Sequence, residues 1–254
     1  MSSTSPSPPE AISFTISGEW AHFRRIDTTT AKQTYRIPPR TTIIGLLAGI
    51  LGYDRDSYYD DFHPEKCDIA VSLETEVTTM AVPQTELTTK GAYRSSRGGH
   101  DVEAAFLKVE KTLEDRQRNF YEYLTDMSYR IDVCHSDTEI REKLHDMLSA
   151  GESVYTPSLG KSECLASITY HGQSETVPVE SDVAHSVVPI DAAVPTGQNI
   201  ATERSPRQMV RDGRSRKTTD FGAYAYRKDG NTEPLKVRDD ATVFEIHGRP
   251  ITFM

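Results

Sequence analysis

The 254-residue chain carries 29 Lys and Arg against 38 Asp and Glu, a net charge of −9 with a pI near 5.4. A chain of this length can bury a real core, so a globular class is expected. The acidic balance excludes a general nucleic-acid coat, because phosphate affinity rests on Lys and Arg, and leaves only a local basic site to bind RNA or DNA.

No apolar run reaches the roughly 18 residues a spanning helix needs, and the opening MSSTSPSPPE has neither the basic start nor the apolar stretch of a secretory signal. A cytoplasmic location with no membrane partner is the expectation. Cys67, Cys134 and Cys164 lie far apart with no CxxC or Cys/His spacing, which excludes a disulfide framework and a zinc site; no metal and no cofactor is expected. Arginines outnumber lysines 19 to 10 in an acid- and threonine-rich chain, a composition that suggests a salt-loving source. In molar salt the Debye length falls to roughly 3 Å, so binding would rest on close arginine contacts, hydrogen bonds and stacking.

Residues 1–10 are Ser/Pro-rich and are predicted to form a disordered tail. Ile12, Phe14 and Ile16 alternate with polar neighbours up to Gly18, the period of a strand. An irregular basic segment, His22 to Arg40, ends in Pro38 and Pro39, and Thr41 to Gly52 then reads as a buried helix begun at a threonine and stopped by a glycine. Cys67 to Val77 is a second strand. From Thr78 to about Asn119 the chain turns polar; KGAYRSSRGGH and an amphipathic helix through Val102, Phe106, Val109 and Leu113 suggest a projecting insertion.

Tyr129 to Cys134 is a third strand, Asp137 to Ala150 a helix capped by Asp137 and ended by Gly151, and Leu165 to Tyr170 a fourth strand. The expected class is therefore α+β: a ferredoxin-like (RRM-like) β-α-β-β-α-β domain over 11–172 with an insertion at about 78–119. A small antiparallel β-sheet domain over 173–254 follows, with strands at Val177 to Ile190, Gly222 to Arg227 and Ala241 to Phe253. Between them lies RSPRQMVRDGRSRK, Arg204 to Lys217, the densest basic run in the chain.

The segment Gly18 to Tyr53 resembles the amino-terminal signature of the CRISPR-associated Cascade subunit family that holds the 5′ handle of the guide RNA, in its type I-B branch. Gly18, Phe23, Tyr35, Pro38, Pro39, Thr41, Thr42, Gly45, Leu46 and Gly52 carry the resemblance, and RQRNFYEYLTDMSYRIDV and YTPSLGKSECLA follow in order. Together these blocks cover about a quarter of the chain. The resemblance implies an RNA-recognition core with a projecting thumb, a non-catalytic role capping the crRNA 5′ handle, and contacts to the backbone subunit and the large subunit; a haloarchaeal source would suit the composition. No RNP1 octamer is present, so base contacts would come from loop and thumb rather than from the sheet face.

Single-stranded RNA is held by cations on phosphate, planes on bases and hydrogen bonds to base edges. Trp20, His22 and Phe23 offer planes and Arg24 and Arg25 guanidinium forks, although Trp20 and Phe23 would serve equally as core anchors. Arg40, Thr41 and Thr42 stand at a helix start, where a phosphate is favoured. Lys90, Arg94 and Arg97 lie in the expected thumb. Arg204, Arg207, Arg211, Arg214, Arg216 and Lys217 would meet RNA, target DNA or a partner subunit, or form a solvated face. Two rival readings stand beside the cap: a metal-independent endoribonuclease using Tyr35, Lys161 and His22, and a purely structural assembly subunit.

Overall fold

The sheet at the centre of the fold is organised by one long strand. The computed structural model describes residues 10–25, 31–87, 116–213, 215–230 and 233–254. Strand β1 (Glu10–Ala21) is followed by the short strands β2 (Phe23–Arg24), β3 (Ala31–Lys32) and β4 (Thr34–Tyr35), helix α1 (Arg40–Leu51), and strands β5 (Cys67–Leu73) and β6 (Thr78–Leu87). Strand β7 (Arg116–His135) then runs for 20 residues, followed by helix α2 (Thr138–Ala150) and strand β8 (Ser167–Glu175).

The carboxy-terminal half of β7 pairs antiparallel with both β1 and β5, and β1 pairs antiparallel with β8, giving the path β8-β1-β7-β5. The amino-terminal half of β7 pairs with β6 from Thr78↔Thr125 to Leu87↔Arg116, a two-stranded arm continuing past the sheet. The expected insertion at 78–119 therefore begins and ends as an extension of the sheet. Its expected helix, and Lys90, Arg94 and Arg97, lie outside the described residues.

Register explains the core. Val71, Ile131 and Phe14 stand in one row across the sheet, and Leu73, Tyr129 and Ile16 in the next. All of them belong to the main core, which also takes in Ile43, Ile44, Leu47, Ile50 and Leu51 of α1 and Leu144 and Leu148 of α2. Each such side chain contributes about 1.5–3 kcal/mol on burial. The opposite face is covered as well: Ala11, Ala70 and Cys134 pack with Ile246 and Ile251 from the chain's end. Burial on both faces is why CDIAVSL reads as a near-continuous apolar run. Among the buried polar exceptions, Ser13 Oγ donates to Asp132 at 2.5 Å and Arg130 lies 3.4 Å from the same carboxylate, whereas Ser72 Oγ is buried with no partner among the described residues.

Helix ends follow local chemistry. The Asp137 carboxylate accepts from the Glu139 and Ile140 amides, and Gly151 takes the left-handed conformation that closes α2, both as read from the sequence. Helix α1 begins one residue earlier than expected, at Arg40 behind Pro39, with no side-chain cap, and ends at Gly52 in the left-handed conformation.

Beyond β8 the chain forms β9 (Val177–Val179), β10 (Val183–Ala184), β11 (Val188–Pro189), β12 (Ile200–Asp212), β13 (Ser215–Arg227), β14 (Leu235–Lys236), β15 (Val243–Ile246) and β16 (Arg249–Ile251). These pair as β10-β14, β11-β13-β12 and β16-β15-β9. Val187 N–H donates to Val71 O and Met254 N–H to Ile69 O, so two carboxy-terminal segments dock on the free edge of β5. The architecture is mixed α+β, mostly strands, with two helices among the described residues.

The basic run, expected between strands, lies instead largely within the β12–β13 hairpin, each strand 13 residues long. Arg211 stands opposite Arg216 and Asp212 opposite Ser215, around a turn containing Gly213 in the left-handed conformation. Its strands carry few apolar residues because much of their surface is exposed, which hides the period.

Candidate RNA-binding groove

A groove of about 800 Å³ opens between α1, the loop over 155–161 and the β12–β13 hairpin, within the roughly 300–1,000 Å³ of ligand clefts. Its floor is one side of α1, formed by Thr41, Thr42, Gly45, Leu46 and Gly49. The glycines keep side chains out of this floor: a Cβ on Gly45 would lie 3.3 Å from the Tyr58 hydroxyl. Tyr53, Tyr58, Tyr155 and Arg55 border one part, and His22, Arg24, Tyr35 and Lys161 another, with Arg216 reaching in from the hairpin.

The wall carrying His22 is fixed by backbone contacts. His22 N–H donates to Leu159 O at 3.0 Å, and Gly160, at φ +92°, lies so close to the His22 carbonyl that a Cβ there would sit 2.1 Å from its oxygen. Only glycine fits that crossing. The next residue, Lys161, places its Nζ 2.5 Å from Glu163, 3.1 Å from the Tyr123 hydroxyl and 4.2 Å from the centre of the Tyr121 ring. Burial opposes its charge, but the bonds to Glu163 and Tyr123 lift its pKa above the ordinary lysine value, so it stays a cation. Glu86 accepts from the Tyr121 hydroxyl and from Asn119, and these bonds hold its carboxyl below the usual range.

The turn before the two prolines is held from three sides. Arg36 forms a fork with Glu122, both N–O distances 2.8 Å. The Glu203 carboxylate, from β12, accepts from the Arg36 and Ile37 amides, and the Tyr129 hydroxyl donates to Arg36 O. Strand β12 thus anchors the segment that feeds α1.

The sequence-predicted residues separate clearly. His22, Phe23, Arg24, Thr41, Thr42 and Arg216 line the groove. Arg24 is exposed; Arg25 is half-buried with its guanidinium 5.4 Å from the Tyr35 ring centre. Phe23 is buried in a T-shaped contact with Tyr129 and belongs to the core, so the expectation of a free stacking plane is corrected. Trp20 lies in β1, opposite Thr125, partly exposed and edge-on to Tyr123.

Arg40 is also corrected. It is 1% exposed and donates to Phe62 O at 3.0 Å and Cys67 O at 2.6 Å, so its guanidinium ties α1 to the start of β5 instead of meeting a phosphate. Along the hairpin, Arg204 lies over the Phe221 ring at 4.2 Å, Arg207 pairs with Asp220, Arg211 donates to Gly213 O, and Lys217 is exposed. Arg216 is drawn to the groove rim by Asp56, 3.5 Å away. Arg214 lies outside the described residues.

Sequence reasoning missed Tyr53, Tyr58, Tyr155 and the Tyr121, Tyr123, Glu163 cluster. The alternation of Tyr121 and Tyr123 within NFYEYL was a visible signal, because residues two apart share one face of a strand. Among the described residues no group of three metal-ligating side chains occurs, and no helix is long and apolar enough to cross a membrane.

A sequence profile described as "CRISPR-associated protein (Cas_Cas5)" matches residues 11–241. The chain belongs to the Cas5 family of CRISPR-associated proteins. Among solved structures, this Cas5 chain is similar to a chain of a "CRISPR RNA-guided surveillance complex", with 15% identity and a TM-score of 0.53, over 89% of this chain and 90% of the other. It is also similar to a CRISPR protein from Archaeoglobus fulgidus, with 12% identity and a TM-score of 0.55, over 95% and 98% of the two chains. At these identities the likeness speaks for the fold. A comparison with curated protein sequences finds no match.

Proposed function

We propose that this Cas5 protein is a non-catalytic RNA-binding subunit of a type I CRISPR surveillance complex, I-B-like, that caps the 5′ handle of the guide RNA. The observation that carries the reading is the groove. It joins exposed Arg24, cationic Lys161 and Arg216 to tyrosine walls and to the start of α1 in a protein that is acidic overall. Cations for phosphate, aromatic planes for bases and a helix start in one open cleft are what single-stranded RNA requires.

The β8-β1-β7-β5 order with two helices on one face supports a ferredoxin-like, RRM-like body over 11–172, with the β6–β7 arm as the base of a thumb and 173–254 as an appended β-rich unit. The arm and the exposed end of the β12–β13 hairpin are the surfaces we assign to the backbone subunit and to the large subunit or target DNA. Replacing Arg24 and Lys161 together by Ala should lower affinity for a labelled handle RNA at least tenfold and leave the fold intact by circular dichroism. Undiminished affinity would remove the groove from the proposal.

One arrangement favours a second reading, endoribonuclease activity: Tyr35, His22 and Lys161 all line the same groove. Two features weigh against it. Tyr35 is 4% exposed, and burial foremost, with the charges of Lys161 and Arg24, lowers the His22 pKa below the ordinary imidazole value, which disfavours the proton a general acid must give.

A further inference from the structure

The loop that follows α1 carries one carboxylate shared by two arginines of the groove. Arg55 Nε lies 3.5 Å from Asp56 Oδ2, and Arg216 Nε, from the β12–β13 hairpin, lies 3.5 Å from Asp56 Oδ1. Both arginines line the groove and both are open to solvent, their side chains 80% and 44% exposed. Two guanidinium groups that reach one carboxylate are also within reach of one phosphate, which presents oxygens of the same kind to their planar forks.

Neither pair is tight. Charge-assisted bonds lie at roughly 2.7–2.9 Å, and exposed ion pairs contribute little stability. Among the described residues neither arginine side chain has a second ion-pair partner. Arg211 stands directly opposite Arg216 in the hairpin, and like charges so placed repel until an anion joins them. Asp56, by contrast, is fixed. It takes the left-handed conformation at φ +63°, uncommon for a residue other than glycine, and accepts from the Tyr59 hydroxyl at 2.7 Å. Such conformations persist only where their surroundings hold them, and they gather at ligand-binding sites.

We propose that Arg55 and Arg216 form a phosphodiester site in the groove, and that the Asp56 carboxylate engages both arginines until a phosphate of the bound RNA takes its place. The inference rests on the RNA-binding reading above and adds a second backbone contact to that of Arg24 and Lys161, with a competitor built into the chain. Removing the competitor's charge therefore strengthens binding, and does so only while the two arginines are present.

The test uses the full-length protein and a labelled single-stranded oligo-U RNA, with affinity read by fluorescence anisotropy across a series of potassium chloride concentrations. Asp56→Asn keeps an oxygen for the Tyr59 hydroxyl, and Asn tolerates the left-handed conformation, so this variant removes the charge and keeps the loop. It should bind about two- to fivefold more tightly than wild type, the effect of one weak ion pair that no longer competes. Replacing the exposed Arg55 and Arg216 together by Ala should weaken binding about tenfold and flatten the slope of log affinity against log salt by about 0.7, the share of one phosphate on a single strand. In that background Asp56→Asn should leave affinity unchanged.

An equal gain from Asp56→Asn in both backgrounds makes Asp56 a remote charge, and unchanged affinity and slope in the double arginine variant leaves no phosphate at the site. Either result, or weaker binding by Asp56→Asn alone, overturns the inference while RNA binding stands. Failure of the wild type to bind the RNA overturns the inference together with the reading beneath it.

Discussion

Gly160 is the residue on which the groove wall turns. Its positive φ and the 2.1 Å that a Cβ would leave to His22 O mean that Gly160→Ala must push the Lys161 loop away from β1. Overpacking and φ strain of this kind cost about 1–3 kcal/mol. The expected outcome is a lower melting temperature together with weaker RNA binding, measured by scanning calorimetry and anisotropy.

Arg40 behaves in the opposite way. Arg40→Met leaves the Phe62 and Cys67 carbonyls without their donor, at about 1–3 kcal/mol in urea denaturation, and RNA affinity of the folded protein should hold. The sequence exposed Arg40 as a basic residue at a helix start; it could not show that two carbonyls from the 62–67 turn would enclose it. Burial of a cation is a tertiary fact with no local signal.

The pH dependence follows from His22. Burial, with the nearby cations, lowers its folded pKa below 6.5, so below pH 6.5 the unfolded chain takes up the proton more readily and stability falls until pH passes the folded pKa. The stability of wild type relative to His22→Phe should therefore decline as pH is lowered from 7 to 5, by chemical denaturation at each pH. A pH-independent difference would contradict the neutral, buried imidazole.

Among the elements, the two long helices were readable because their signals are local. Asp137 and Gly151 bracket α2 as expected, and Asp137→Ala should cost about 1 kcal/mol. The long strands were less so. Strand β7 was anticipated only from Tyr129 to Cys134, where both faces are buried, while its amino-terminal half is legible only once β6 is known to lie beside it. Of the β12–β13 hairpin only Gly222 to Arg227, the end of β13, is legible as a strand in the sequence, although Asp212-Gly213 is a turn signal that marks the rest.

That hairpin has a tight point of its own. Gly222 lies beneath the Tyr224 ring, and a Cβ there would fall 1.9 Å from the tyrosine hydroxyl. Gly222→Ala must displace Tyr224, a member of the main core, and should destabilise by about 1–3 kcal/mol in urea denaturation. Since β12 also carries Glu203, which holds the Arg36 and Ile37 amides, this substitution should loosen the turn before α1 as well, read as faster amide exchange at those two residues.

At the scale of the molecule, an acidic chain concentrates a local cationic site where a strand end, a helix start and a glycine-punctuated loop converge. The sequence marked His22, Phe23 and Arg24 beside β1, Thr41 and Thr42 on α1, and Arg216 on the hairpin. It marked Lys161 only as part of a rival catalytic set and left the tyrosine walls unassigned, because residues 53–58 and 155 come together only through the packing of separate loops on α1.

The central claim, that the groove binds guide RNA without cutting it, is tested most directly by incubating the purified protein with a labelled CRISPR repeat RNA and with its isolated 5′ handle, in high potassium chloride without metal, and scoring binding and cleavage together. The account predicts retention of both RNAs, intact, with Arg24 and Lys161 required. Specific cleavage of the repeat at the handle boundary, abolished by replacing Tyr35, His22 or Lys161, would contradict it.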